Sequence, residues 1–390
     1  MEAQLKAQER VAGPVAAAPE RAAAPIKAGL LENRILLHAR PKGITQLLKA
    51  VDPRYSGILL SGAGPERGLL RCRKAGYTGF IAIDPRGYAD GFASPDMPFT
   101  LSPEGQLFPP SLEQALDNQR LAGADVALTP TRYIQAGDSA ALKAAAKIAT
   151  NLHRDDTVFS VPLAIAWLGS TYIGQLTAIL ASVPLPKGIF LGAQLDPLNN
   201  VTEAVANLRH LCTAAGRVAV LGTDFEAFDV TAHGGYAASI GTGGGLRHII
   251  PPDEKPVSII TGDSPSVLAP DLIHFFKGST LAKRFNNAVA PACPCTSCSG
   301  RRIDTFLGRA DSTAAHLHNI RTWMAWLPDL FGSDSSRDRS SWWQELCAAA
   351  VENHERYNRE LRLRNVFKPT RALKVWAGQT LKRPVTATSR

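Results

Sequence analysis

Short apolar runs and stretches with helical spacing alternate along most of this chain. Runs of six to eight apolar or β-branched residues recur eight times between residues 34 and 243. Plausible helices such as SLEQALDNQRLAG and NVTEAVANLRHLCTAAG separate them. Apolar strands that alternate with helices are typical of a parallel sheet with crossover helices. The runs are RILLHA, GILLSGA, GFIAID, DVALTP, VFSVPLAI, GIFLGAQ, RVAVLGTD and YAASIGTG.

Eight strands are the number that closes a TIM-type (β/α)8 barrel, which is the α/β fold that the pattern predicts. A doubly wound open sheet is the alternative. Asp, Thr, Gln and Gly residues follow the strand runs, and barrel enzymes keep their chemistry at that end of the strands. This placement favours the barrel, and the residues are Asp84, Thr129, Gln194, Asp224 and Gly241.

Three of the six cysteines fall within six residues, in the segment ACPCTSCSG. Cys293, Cys295 and Cys298 are close enough on a turn to bind one tetrahedral ion, and a Cys₃His set fits zinc. His318, on a predicted helix, is the expected fourth ligand, and His316 is the alternative. A site with four protein ligands leaves no open position, so the predicted zinc is structural.

The strand rhythm ends after residue 250 at a proline-rich link, IIPPDEKP. We predict four segments. Residues 1–28 form a flexible leader that is rich in Ala and Pro, and residues 29–284 form the barrel catalytic domain. A zinc-binding subdomain over 285–350 and a basic, helical C-terminal segment over 351–390 follow.

The chain is basic, with 43 Lys and Arg residues against 34 Asp and Glu residues. From Arg356 to Arg390, ten Lys or Arg residues accompany one acidic residue, Glu360. Such a segment is either a solvated tail or a surface for phosphate groups. The sequence has no apolar run of membrane-spanning length and no signal-peptide pattern, so we predict a cytoplasmic protein without a membrane partner.

The cysteine segment, followed by His318-Asn319-Ile320-Arg321, resembles the zinc segment of the tRNA-guanine transglycosylase family. The likeness extends over roughly residues 30–330, with this one specific motif and several softer ones. It implies an enzyme, a pentosyltransferase that exchanges guanine for a 7-deazaguanine base of the preQ0 or preQ1 type in nucleic acid. The family's tRNA-type signatures are eroded here, which slightly favours DNA and the DNA-guanine transglycosylase branch.

Base exchange without water needs a carboxylate that binds the sugar covalently and a second group that handles the purine proton. Asp84 in IAIDPRGY resembles the family's strand-ending Asp and is the first candidate. Asp224, after VAVLG, is the candidate nucleophile, with Asp196 and Asp271 as rivals. Both candidates have plainer interpretations, because Asp84 precedes a proline as turn residues do and Asp224 begins a helix.

Four residues are predicted to contact the substrate. Thr129 stands where the family has an acidic base-reading residue, and Gln194 follows GIFLGA, which resembles the strand that lines the base pocket. Gly241 and Gly243 belong to the run GTGGG, where missing side chains let a backbone approach phosphate. A plain flexible loop is the alternative for this run.

The largest departure from the family lies on the last strand. The family's nucleophilic Asp stands there in a Phe-Asp-Cys context, whereas this chain has Ser239, Ile240 and Gly241. Either another Asp attacks, or the chain is a non-catalytic nucleic-acid-binding homologue. A barrel enzyme for a phosphate-bearing small substrate is a third hypothesis. The sequence leaves open whether the chain dimerises or joins partner proteins of a modification system.

Overall fold

The computed structural model describes residues 28–101, 110–194, 196–256, 264–332 and 338–379. Nearly all of the predicted leader lies outside the described residues. Within them, no helix is both long and apolar enough to cross a membrane.

Eight parallel strands form the centre of the described chain, each beside its neighbour in sequence. The first strand also pairs with the eighth, in a register that sets Leu36 opposite Ser239. A parallel bridge between Ala82 and Val126 joins the third strand to the fourth. The sheet therefore closes, which confirms the TIM-type barrel and makes the open-sheet alternative wrong. The strands are β1 (Ile35–Ala39), β2 (Gly57–Ser61), β3 (Phe80–Asp84), β4 (Ala127–Leu128), β5 (Thr157–Ala164), β6 (Lys187–Gly192), β7 (Val218–Thr223) and β8 (Ala237–Gly241).

Helices connect the strands and cover the outside of the barrel. Almost every strand position is buried because one face meets the helices and the other meets the barrel interior. Side chains alternate between these faces, so that Leu36 joins the inner apolar cluster while Ile35 and Leu37 join the outer one. The helices are α1 (Ile44–Leu47), α2 (Pro65–Lys74), α3 (Leu112–Leu121), α4 (Ser139–Thr150), α5 (Ile173–Ala181), α6 (Ala204–Ala214) and α7 (Glu226–Ala232).

The chain after the barrel strands forms an antiparallel hairpin and five further helices. Strands β9 (Ser266–Ala269) and β10 (His274–Lys277) make the hairpin. Helices α8 (Gly278–Arg284), α9 (Ser312–Met324), α10 (Leu327–Phe331), α11 (Arg339–Glu360) and α12 (Arg371–Trp376) follow.

Helices α9 and α11 complete the outer layer of the barrel. Helix α9 lies against α1, and α11 lies against α7. The Trp343 ring on α11 stacks on Phe228 of α7 with centroids 5.3 Å apart. Trp323 and Trp343 are fully buried, so these tryptophans pack the fold. The predicted segment boundaries stay predictions, because this shared core does not test them.

Candidate functional site

The four predicted metal ligands lie together. The ligand atoms of Cys293, Cys295, Cys298 and His318 all lie within 4.8 Å of one another. Nδ1 of His318 is 3.1 Å from the Cys293 sulfur, 3.3 Å from that of Cys298 and 4.0 Å from that of Cys295. Three sulfurs and one imidazole nitrogen supply four donors, the number and type that suit a soft or borderline ion in tetrahedral coordination. The predicted Cys₃His cluster is therefore confirmed as a possible metal site.

A tight turn brings the three thiols together. The amide of Cys293 donates to the Arg301 carbonyl oxygen at 2.9 Å, and the amide of Gly300 donates to that of Cys293 at 3.0 Å. Ser299 and Gly300 adopt positive φ angles of 49° and 88° to close the turn. A hydrogen bond with Cys298, and then one with His318, lowers the pKa of the Cys293 thiol far below its usual value. The thiolate is the form that binds a metal.

Hydrogen bonds to strand β9 orient the histidine ligand on helix α9. Nε2 of His318 is 2.8 Å from the Leu268 carbonyl oxygen on β9, which accepts its proton and leaves Nδ1 free to bind an ion. The neighbouring Asn319 accepts from the Leu268 amide at 2.7 Å and donates to the Ser266 carbonyl at 2.9 Å. His316, the alternative ligand, is not in the cluster. The His-Asn pair thus fixes both the ring orientation and the hairpin.

Asp84 ends β3 inside the barrel, where it is 2% exposed. Its Oδ2 accepts hydrogen bonds from the Tyr88 hydroxyl at 2.7 Å and the Ser61 hydroxyl at 2.8 Å. Its Oδ1 accepts from the Arg86 amide at 2.9 Å, and His38 Nε2 lies 3.6 Å from Oδ2. Burial opposes ionisation, but His38 and these donors together lower the pKa of Asp84. Asp84 is thus an enclosed carboxylate whose oxygens already have partners.

A second group of carboxyls lies beyond the ends of β6 and β7. Asp196 and Asp224 are partly buried, and Glu226 is buried at the start of α7. Glu226 Oε2 accepts from the Asp224 amide at 3.1 Å. Burial, and then the charge of Asp224, raises the pKa of Asp196 to about 7 and that of Glu226 well above its ordinary value. Asp196 and Glu226 therefore keep their protons to higher pH than ordinary carboxyls do.

Arg247 faces these carboxyls from the loop after β8. Its Nε donates to the Gly241 carbonyl oxygen at 3.1 Å, and its guanidinium carbon lies 3.3 Å from the centre of the Phe275 ring on β10. Burial lowers its pKa to about 10, although the charges of Asp224 and Glu226 oppose this. Arg247 therefore remains a cation at neutral pH, and its positive charge offsets negative charge on the nearby carboxyls.

The predicted substrate-binding glycines differ in their surroundings. A Cβ on Gly241 would lie 2.4 Å from the Leu246 carbonyl oxygen, so glycine is required there for packing. Gly243 has no such neighbour within 4 Å and borders open space. Of the two, Gly243 is the one whose backbone a ligand can approach. The rival nucleophile Asp271 lies on the hairpin instead, where the Tyr357 hydroxyl donates to it at 3.0 Å.

Thr129 and Gln194 both use their polar groups within the protein. The Thr129 hydroxyl accepts from the Ser160 amide at 2.9 Å and shares a hydrogen bond with Thr131. The Gln194 amide donates to Glu254 at 2.6 Å. Gln194 and Glu254 line a cleft of about 380 Å³ above β5 and β6, together with Tyr133. Their roles in substrate binding stay predictions.

The raised pKa of Asp196 predicts a change in stability with pH. The unfolded carboxyl ionises near its ordinary value of 3.8, whereas the folded one keeps its proton until about pH 7. The folded state thus binds more protons between these values, and its stability falls as the pH rises through them. We expect Asp196→Asn to raise the unfolding free energy at pH 8 by on the order of 1 kcal/mol and to change it little at pH 4. Urea unfolding at both pH values measures this, and an equal effect at both would contradict it.

Sequence reasoning missed two buried titratable residues in this region. His38 belongs to the apolar run RILLHA, which predicts a strand but no functional residue. Only the alternation of side chains along β1 indicates that His38 faces the barrel interior, as Leu36 does. Glu226 follows Asp224 in TDFEAF and resembles an ordinary first-turn acid of a helix. Its burial depends on packing that local sequence does not specify.

Comparisons with known proteins assign this chain to no family. No family model matches the sequence, and neither does a curated protein. Among solved structures, the thiamine phosphate pyrophosphorylase of Pyrococcus furiosus is 12% identical, with 55% of this chain and 88% of that chain covered and a TM-score of 0.28. A likeness this distant carries no information about activity. What the chain does must therefore be argued from its own residues.

Proposed function

We propose that this protein is a nucleic-acid guanine transglycosylase that exchanges a guanine for a 7-deazaguanine base. The observation that carries the proposal is the carboxyl cluster beyond the ends of β6 and β7, which consists of Asp196, Asp224 and Glu226. The charge of Asp224 contributes to the raised pKa values of the other two. Covalent base exchange needs a nucleophilic carboxylate and a proton donor, and Asp196 and Glu226, which keep their protons to higher pH, are suited to be the donor. The resemblance of the Cys293–Arg321 segment to the zinc segment of the tRNA-guanine transglycosylase family also supports the proposal.

In this proposal Asp224 replaces the carboxylate that the family has on the last strand. An Asp224 oxygen bonds the anomeric carbon of the sugar as the bond from that carbon to guanine breaks. The departing guanine takes a proton from Asp196, and the incoming base returns a proton as it displaces Asp224. Arg247, with its guanidinium close to these carboxyls, stabilises the negative charge between the two steps.

Zinc is the ion that the Cys₃His donor set fits best. Cys293, Cys295, Cys298 and His318 would hold it, with the Leu268 carbonyl oxygen behind the imidazole. All four positions are then protein ligands, so the ion stabilises the fold and takes no part in base exchange.

Nucleic acid is the proposed macromolecular partner because positive charge is concentrated in two segments of the chain. DNA is proposed in preference to tRNA because the family's tRNA-type signatures are eroded in this sequence. Residues 277–309 and 355–368 contain eleven Lys or Arg residues against three acidic ones, which is nearly all of the chain's net charge of +9. Both segments pack around one apolar cluster that includes Phe285 and Phe367. Lys277 follows Phe275, the ring that contacts Arg247 at the mouth. A polyanionic backbone matches this surface.

Reversing charge on this basic surface should weaken nucleic-acid binding. We expect Arg364→Glu combined with Lys368→Glu, both exposed residues, to raise the Kd for duplex DNA at least about tenfold and to lower the salt dependence by roughly two phosphate contacts. Fluorescence anisotropy at several salt concentrations measures both quantities. Lys143→Glu combined with Lys147→Glu, on exposed positions of α4, is the matched control. Equal losses for both pairs would show that only net charge matters.

The direct test of the proposed function is base exchange. Zinc-loaded protein is incubated with labelled guanine and, separately, with a labelled 7-deazaguanine, each with DNA or with tRNA. Label that enters one polymer establishes the exchange and names the substrate. Folded, zinc-bound protein that labels neither polymer would overturn the proposal.

A non-catalytic nucleic-acid-binding homologue is the second candidate. The observation that favours it is the enclosure of Asp84, whose oxygens already accept three hydrogen bonds. Ser239 at the position of the family nucleophile is fully buried and accepts a hydrogen bond from the Gly222 amide at 2.7 Å. Salt-sensitive binding of DNA or tRNA without any base exchange is the result that this candidate predicts.

A further inference from the structure

His38 is a buried histidine without hydrogen-bond partners. It lies on β1 with 1% exposure, and neither of its ring nitrogens has a hydrogen bond within the described protein. Asp84 Oδ2 lies 3.6 Å from Nε2, which is beyond hydrogen-bond distance. An unsatisfied buried polar atom destabilises the folded state, so natural proteins retain few of them without a function.

The backbone on the Nδ1 side of the ring lies close to it. Gly222 on β7 lies opposite, and a Cβ there would lie 3.3 Å from His38 Nδ1 and 3.3 Å from the Phe190 ring. Gly222 has a φ of 63°, in the left-handed region that favours glycine, where the pairing of β7 with β8 shifts register. A side chain is therefore excluded from the position that faces Nδ1.

Asp84 sets the tautomer of the ring. Its carboxylate is held in place by Ser61 and Tyr88, and it faces Nε2 rather than Nδ1. A carboxylate on that side favours a proton on Nε2, which leaves the Nδ1 lone pair as a hydrogen-bond acceptor. This lone pair points toward β7 and the glycine-rich segment after β8.

We propose that His38 is a binding residue for the free purine base, with Nδ1 accepting a hydrogen bond from a ring N–H of guanine or a 7-deazaguanine. The inference rests on the proposed function and adds a base-recognition residue to it. Asp84 is a positioning residue in this arrangement, because it acts on the ring and not on the base. For the base to reach Nδ1, the segment after β8 has to be displaced, because the Leu246 carbonyl oxygen lies 3.4 Å from the same Cβ position on Gly222. Gly243 and Gly244 of that segment border open space, on the side from which the base would enter.

His38→Phe tests the proposal, because phenylalanine keeps the ring volume and removes both nitrogens. We expect its Tm to equal or exceed that of the wild type, since two unsatisfied atoms are lost. We also expect its affinity for guanine, measured by calorimetry on the zinc-loaded full chain, to fall at least about tenfold. The matched control is His354→Phe, another buried histidine with an unpartnered nitrogen, which lies on α11. It should leave guanine affinity unchanged.

A second measurement needs no substitution. The ¹⁵N resonances of His38 report the tautomer and the hydrogen bonding of each nitrogen, and guanine should shift the Nδ1 signal. Wild-type guanine affinity in a folded His38→Phe protein, or a Nδ1 signal that saturating guanine leaves unmoved, would overturn the proposal. Base binding through His38 without label exchange would uphold it while the proposed function fails. Label exchange that is independent of His38 would support the proposed function and remove His38 from base recognition.

Discussion

Asp224→Asn should abolish label exchange, lowering the rate at least about a thousandfold. The reason is that an amide oxygen cannot form the glycosyl ester that holds the sugar between the two bases. The partly buried position of Asp224 beside Asp196, Glu226 and Arg247 should tolerate the isosteric amide without unfolding. Initial rates of guanine incorporation measure the loss, and circular dichroism checks the fold.

Two companion variants make this result specific. Asp271→Asn, on the hairpin and bonded to Tyr357, should keep nearly all exchange activity. Asp196→Asn should slow exchange, but less than Asp224→Asn does, because it keeps the nucleophile and lacks only the proton donor for the departing guanine. A fully active Asp224→Asn protein would remove Asp224 from the mechanism. Loss of activity only in Asp271→Asn would move the nucleophile to the hairpin.

His318→Ala should release the metal and destabilise the fold around it. Loss of one of four ligands leaves three thiolates whose charges are no longer balanced, and structural zinc contributes roughly 10 kcal/mol or more of binding free energy. We expect less than a tenth of the wild-type zinc content and a Tm lower by roughly 10 °C or more. Elemental analysis of the purified protein and calorimetric unfolding measure the two effects.

The matched control for this variant is His316→Ala, two residues earlier on the same helix and outside the ligand cluster. It should bind zinc normally. A chelator should reproduce the His318→Ala defect in the wild type, because Cys293 and Cys295 line a groove of about 740 Å³ that opens to solvent. If His316→Ala instead loses the ion, the ligand assignment is wrong.

The barrel could be predicted from sequence because its strands are continuous apolar runs. All eight runs overlap a barrel strand, and only the extent of each differs. The run DVALTP yields just the two residues of β4, since Pro130 follows and the Thr129 hydroxyl bonds to the Ser160 amide of β5. The local sequence thus determines where each strand forms, while the length of the strand depends on the residues that pack and hydrogen-bond beside it.

The metal ligands could be predicted from sequence, whereas the cluster of Asp196, Asp224 and Glu226 could not. Three ligands lie within six residues, so spacing alone brought them together, and His318 follows on the next regular helix. The carboxyls come from separate loops after β6 and β7, and their protonation depends on mutual distance and burial. Asp84 and His38 are 46 residues apart and become neighbours only across the parallel strands β1, β2 and β3. Pairing of that kind needs the assembled sheet.

The stacking of Trp343 on Phe228 bears on how this chain is made. A ribosome releases β1 to β8 and α7 well before α11, so Phe228 emerges with no partner for its outer face. Until residue 343 has left the exit tunnel, the nascent barrel presents an aromatic patch to its surroundings. We expect the barrel to complete folding late in translation, and a nascent chain stalled after β8 to engage chaperones rather than adopt a compact native state.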